Sequence, residues 1–124
     1  MANYKPDGWP EVIPRIFVQD IAGLAAFLKT VLEAQGEVLP GRPVELRIGD
    51  SLVMISDGAG VRDPAPAFLY VYVPDADAAY RRAIGAGAQS IEPPGDLPYG
   101  DRRATVRDPW GNHWQLATRI AGAE

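Results

Sequence analysis

Two pentapeptides constrain this chain more than any other feature: IFVQD at 16–20 and VYVPD at 71–75, which stand 55 residues apart. Each is a β-branched and aromatic run closed by an aspartate suited to cap a helix. The first lies at the end of a strand predicted over 12–20. After Asp20, residues Leu24, Phe27, Leu28, Val31 and Leu32 recur at helical spacing, which predicts a helix over 21–35 ended by Gly36. Three short strands follow at 36–39, 44–50 and 51–57, with turns at Pro40-Gly41 and Gly49-Asp50. The order then begins again. A strand over 68–75 ends on the cap Asp75, and a helix over 76–88 has Gly85 or Gly87 near its end. Strands follow at 89–93, 102–108 and 112–118, the last two joined by an Asp-Pro-Trp-Gly turn. Near the module ends, GDSLVMIS overlays GNHWQLAT.

The chain is therefore expected to be α+β, with two tandem βαβββ modules over 11–60 and 66–119. Neither module has enough sheet to stand alone, so both are expected to share the core of a single domain over 1–124. Gly58, Gly60, Pro64 and Pro66 form the linker.

Composition narrows the function classes. A net charge of −4 argues against a nucleic-acid partner, which needs clustered Lys and Arg. With no cysteine, thiolate nucleophiles, disulfides, zinc ribbons and iron–sulfur clusters are excluded. The N-terminal MANYKPDGWPEVIP has no apolar h-region and no apolar run reaches spanning length, so no membrane partner and a cytoplasmic location are expected.

The stretches FVQDIAGLAAFLKTVLEAQGEVL, VELRIGDSLVMISD, LYVYVPDADAAYRRAIGAGAQSIEPPGD and YGDRRATVRDPWGNHWQLAT resemble the vicinal oxygen chelate superfamily. That group includes glyoxalase I, extradiol dioxygenases, and bleomycin- and fosfomycin-resistance proteins. The resemblance covers roughly residues 11–119 and is nearest to the PhnB-like or bleomycin-resistance-like branch. It implies that the modules curl into a mixed-sheet cup, and that any metal is held by His, Gln or Glu on the first and last strands of each module. Carried onto this chain, those ligand positions are Ile13, Val53, Phe68 and Gln115. One neutral amide cannot hold a catalytic divalent metal, so no cofactor is expected.

Strand alternation from those positions turns Ile13, Arg15 and Phe17 into the cup, with Phe68, Tyr70 and Tyr72. Ser51, Val53 and Ile55 face in from the first module, and His113, Gln115 and Ala117 from the second. The expected ligand-binding set is Arg15, Phe17, Phe68, Tyr70, Tyr72, His113 and Gln115. Aromatic faces with a few convergent polar groups suit a small molecule, and Arg15 suits a carboxylate or phosphonate. Intramolecular partners for Arg15 are Glu45, Asp50 or Asp57. Tyr99, Asp101, Arg102 and Arg103 are expected at the rim, as a lid or a salt-bridged loop.

Two functions follow. The first is a metal-free protein that sequesters a bulky aromatic or cationic natural product. The second is a metal-independent lyase, isomerase or epimerase, with His113, Tyr70 or Tyr72 as proton carrier. Trp9 and Trp110, beside turns, are expected at a second subunit, and the resemblance implies a homodimer.

Overall fold

The computed structural model of the chain describes residues 4–58 and 65–120. Both aspartate caps form. The Asp20 carboxylate accepts the Gly23 N–H at 3.0 Å, and that of Asp75 accepts the Ala78 N–H at 3.1 Å, each satisfying a donor that has no partner within its helix. They open α1 (Ile21–Leu32) and α2 (Ala76–Gly85). A side chain at Gly23 would collide with the Asp20 carboxylate at 2.2 Å and the Trp110 ring at 2.8 Å, so the cap and the tryptophan depend on glycine there.

The strands are β1 (Arg15–Phe17), β2 (Val44–Ile48), β3 (Ser51–Ser56), β4 (Phe68–Tyr72), β5 (Gln89–Asp96), β6 (Asp101–Arg107) and β7 (His113–Arg119). They form two mixed sheets, ordered β1-β3-β2 and β4-β7-β6-β5, and an isolated bridge joins Phe17 to Ala65. In each module the strand before the helix runs parallel to the last strand. The fold is α+β, as expected.

Helix α1 buries Leu24, Phe27, Leu28, Val31 and Leu32, whereas α2 buries only Ala76, Ala79 and Ala83. The small face of α2 allows close approach to α1. The Arg82 guanidinium donates to the Val31 carbonyl at 2.9 and 3.3 Å, placing a cation at the C-terminal turn of α1. Ile16, Val18, Val53, Ile55, Val106, Trp114 and Leu116 complete one cluster with both helices.

Five expectations change. Helix α1 ends at Leu32, because Glu33 takes a left-handed conformation (φ 57°). Gly36 serves a different purpose: a Cβ there would lie 2.3 Å from the Glu45 carbonyl, so it admits β2. Residues 36–39 form no strand. Only Gln35 bridges Arg47, and the first module is βαββ. Strand β1 is shorter than 12–20, and β5 runs past Pro93 and Pro94, which is tolerated because it is an irregular edge strand.

The fifth change bears on the site. The Val18 N–H donates to the Ser56 carbonyl, as that of Val73 does to Ala117. Ser56 therefore corresponds to Ala117 and Met54 to Gln115, one residue off the overlay of GDSLVMIS on GNHWQLAT. The turn into β3 is Gly49-Asp50, while the turn into β7 spans 108–112, so the glycines are not equivalent. Ser51, Val53 and Ile55 consequently lie on the helix side of their sheet. Met54 and Ser56 share the open face with Arg15 and Phe17. Of the linker, Gly60 and Pro64 lie outside the described residues.

The left-handed Glu33 gives a direct test. Glycine adopts that conformation without the Cβ penalty, so Glu33→Gly is expected to stabilise the chain by about 0.5–1 kcal/mol in urea unfolding.

Candidate functional site

Strand β4 turns Leu69 and Val71 toward the core and leaves Phe68, Tyr70 and Tyr72 on the open side at 63%, 39% and 61% exposure. Its parallel register with β7 sets Phe68 beside His113, Tyr70 beside Gln115 and Tyr72 beside Ala117. Strand β6 then adds Asp101, Arg103, Thr105 and Arg107 on the same face, opposite Arg119, Ala117, Gln115 and His113. The Phe68 and His113 rings stack at 5.2 Å with 3° between planes, and Tyr70 and Tyr72 meet edge-on at 5.5 Å.

A carboxylate lies beneath the phenols. Asp101 is fully buried and accepts hydrogen bonds from the Tyr70 hydroxyl at 2.5 Å, the Tyr72 hydroxyl at 2.8 Å and Arg119 Nη1 at 3.3 Å. The Tyr70 and Tyr99 hydroxyls stand 3.1 Å apart, and Arg103 Nη1 donates to the Tyr99 hydroxyl at 3.2 Å. Arg103 also grips Glu92 with two bonds of 3.3 Å, and Glu92 accepts the Thr105 hydroxyl. Gln115 Nε2 reaches Thr105 Oγ1 at 3.4 Å.

The electrostatics follow from these contacts. The hydrogen bond from Tyr70, with those from Tyr72 and Arg119, holds the Asp101 carboxyl below its ordinary range despite its burial. Burial, then the bonds to Asp101 and Tyr99, push the Tyr70 phenol far above 10. For Tyr72 the bond to Asp101 comes first and burial second, and its phenol is raised too. Glu92 is lowered, mainly by the Thr105 hydroxyl and Arg103.

The expected site residues thus divide. Phe68, Tyr70, Tyr72, His113 and Gln115 share one face with Tyr99, Asp101 and Arg103. Asp101 is not a rim residue; it is the buried anchor of that face. Arg102 lies on the opposite side, paired with Asp77 and Asp96. Arg15 and Phe17 sit on the first sheet, the guanidinium 5.4 Å from the Phe17 ring centroid and 3.4 Å from Ser56 Oγ. They line a cavity of about 830 Å³ whose lining among the described residues falls between 15 and 58 and includes Asp20, Arg42 and Pro43. Trp110 is half-buried and packs edge-on against Phe27 of α1 at 6.1 Å.

Sequence reasoning missed Glu92, Thr105 and Arg119. Alternation along 101–107 carries a signal for Thr105 once β6 is registered on β7. The ligand positions on the first and last strands, with β3 corrected, are Ile13, Met54, Phe68 and Gln115. Two carry no donor, and the others offer a thioether and a neutral amide, so these positions do not fit a divalent metal. Among the described residues, no three of His, Asp or Glu converge in a way that could hold one.

Residues 13–116 match the family model described as the glyoxalase/bleomycin resistance protein/dioxygenase superfamily. The chain belongs to that superfamily. It is 32% identical to an uncharacterised protein of Mycobacterium bovis, over 90% of this chain and 84% of that protein. An uncharacterised protein of Mycobacterium tuberculosis matches at the same identity over 90% of this chain and 75% of its own length. Among solved structures, TioX from Micromonospora sp. ML1 superposes with a TM-score of 0.75 at 23% identity, covering 90% of this chain and 99% of that one. A family enzyme from Burkholderia phytofirmans PsJN gives 0.75 at 22% identity, covering 87% and 97%. These likenesses establish the glyoxalase/bleomycin-resistance fold. The superfamily carries many chemistries on it, so function rests on the side chains above.

Proposed function

We propose that this chain is a small-molecule-binding protein that works without a metal, sequestering a bulky aromatic or cationic natural product against the open face of β4, β7 and β6. One observation carries the reading. Three large aromatic side chains stay exposed at alternate positions of one strand, and two of them are fixed by a buried carboxylate. Exposed aromatic surface of this kind marks interaction sites, and rings already held in place lose little freedom when a planar ligand stacks on them. In this reading the chain acts as a homodimer whose second copy completes the cavity.

The enzymatic alternative draws less from the geometry. Phenols raised above 10 are poor proton carriers near neutrality, and the His113 ring is stacked on Phe68. Arg15, the anion clamp of that scheme, lines the cavity of the first sheet.

Titration of EDTA-dialysed protein with planar aromatic natural products, followed by Tyr and Trp fluorescence, is expected to give saturable binding. Silence from every compound, or binding that requires an added divalent ion, contradicts the proposal.

A further inference from the structure

The hydrogen-bond directions around Asp101 can be assigned by elimination. Its two carboxylate oxygens receive three donors, one of them a guanidinium, so it acts only as an acceptor. Tyr70 and Tyr72 each have a single hydroxyl hydrogen, and each gives it to Asp101 Oδ2. With its hydrogen committed, Tyr70 must be the acceptor in its contact with Tyr99. Tyr99, having given its own hydrogen, accepts from Arg103. The chain of bonds therefore runs one way, from Arg103 through Tyr99 and Tyr70 to Asp101, with Tyr72 and Arg119 joining at the end.

This polarity decides what the exposed phenol oxygens can offer. Tyr70 keeps one lone pair, and Tyr72 keeps two with no hydrogen to give. Tyr72 is also well exposed. We infer that the β4 side of this face selects ligands that donate: a planar aromatic presenting a hydroxyl, amide or ammonium hydrogen to the Tyr72 oxygen while stacking on the neighbouring rings. The inference rests on the ligand-binding reading above and adds the hydrogen-bonding class of the ligand.

Two probes isolate it. 2-Naphthol and 2-methoxynaphthalene share a ring system and differ in whether the oxygen carries a hydrogen or a methyl group. In calorimetric titration at neutral pH, the unaltered chain is expected to bind 2-naphthol about five- to tenfold more tightly. Tyr72→Phe removes the acceptor and keeps the ring, and is expected to bring the two affinities within about twofold of each other. If that variant does not fold, the ratio measured on the unaltered chain decides. Equal or tighter binding of 2-methoxynaphthalene by the unaltered chain overturns the inference and leaves the aromatic-ligand reading standing. Saturable binding of neither probe, together with silence from every planar natural product in the fluorescence titration, overturns that reading itself.

Discussion

A chain carrying Asp108→Ala is expected to lose about 3 kcal/mol or more of stability. The aspartate is only 3% exposed and organises the turn between β6 and β7. Its carboxylate accepts the backbone N–H of Trp110 at 3.0 Å and of Asn112 at 2.9 Å, the Asn112 side-chain amide at 3.0 Å and the Trp114 indole N–H at 2.9 Å. Asn112 in turn accepts the Ala67 N–H at 2.9 Å, tying the turn to the start of β4. Alanine leaves these donors buried without an acceptor, and each costs about 1–3 kcal/mol where water cannot reach it. Urea unfolding measures the loss as a lower midpoint at unchanged slope. A loss under about 1 kcal/mol would mean that the turn holds through its backbone bonds alone.

The second large effect is expected at Asp101. In Asp101→Asn one oxygen becomes an amide nitrogen. If the remaining oxygen faces the two phenols, the NH₂ group meets the Arg119 guanidinium, donor against donor. If the group flips, both phenols lose their acceptor. The variant is expected to melt lower than Tyr72→Phe and to bind aromatic ligands on the order of tenfold more weakly. Its tyrosine titration differentiates the two rings. Tyr72, raised mainly by Asp101, returns toward 10, whereas Tyr70, raised first by burial, stays high. Carbon NMR of the tyrosine rings checks this, and an unchanged Tyr72 titration would contradict the assigned network.

The same groups shape the stability of the unaltered chain against pH. A depressed carboxyl contributes stability that is present above its unfolded value near 4 and lost as pH falls through its folded value, so Asp101 and Glu92 drive a loss below about pH 4. A raised phenol contributes stability that is fully present below its unfolded value near 10 and lost as pH rises beyond it, so Tyr70 and Tyr72 drive a loss above about pH 10.

Much of this architecture was legible because it is local. Asp20 and Asp75 cap helices within three residues of themselves, and the alternation Phe68, Tyr70, Tyr72 against Leu69, Val71 reads directly as an exposed and a packed face. The phase of β3 was not legible, because it depends on the lengths of two unlike turns and not on the glycines that mark them. Glu92 was hidden by the register shifts that flank it in β5. The role of Asp101 was beyond any pattern in its own strand. Its partners Tyr70, Tyr72 and Arg119 lie 31, 29 and 18 residues away and meet it only through the β4-β7-β6 pairing. Arg15 lines a cavity with Asp20, Arg42 and Pro43, neighbours that alternation does not predict, since it gives a side of the strand and not what lies across from it.

The claim that the open face of the second sheet is the ligand site is tested most directly by amide and side-chain NMR during titration with 2-naphthol. Saturable shifts concentrated at Phe68, Tyr70, Tyr72, His113 and Gln115 are predicted. Shifts concentrated instead at Arg15, Phe17 and Arg42, around the cavity of the first sheet, would contradict it.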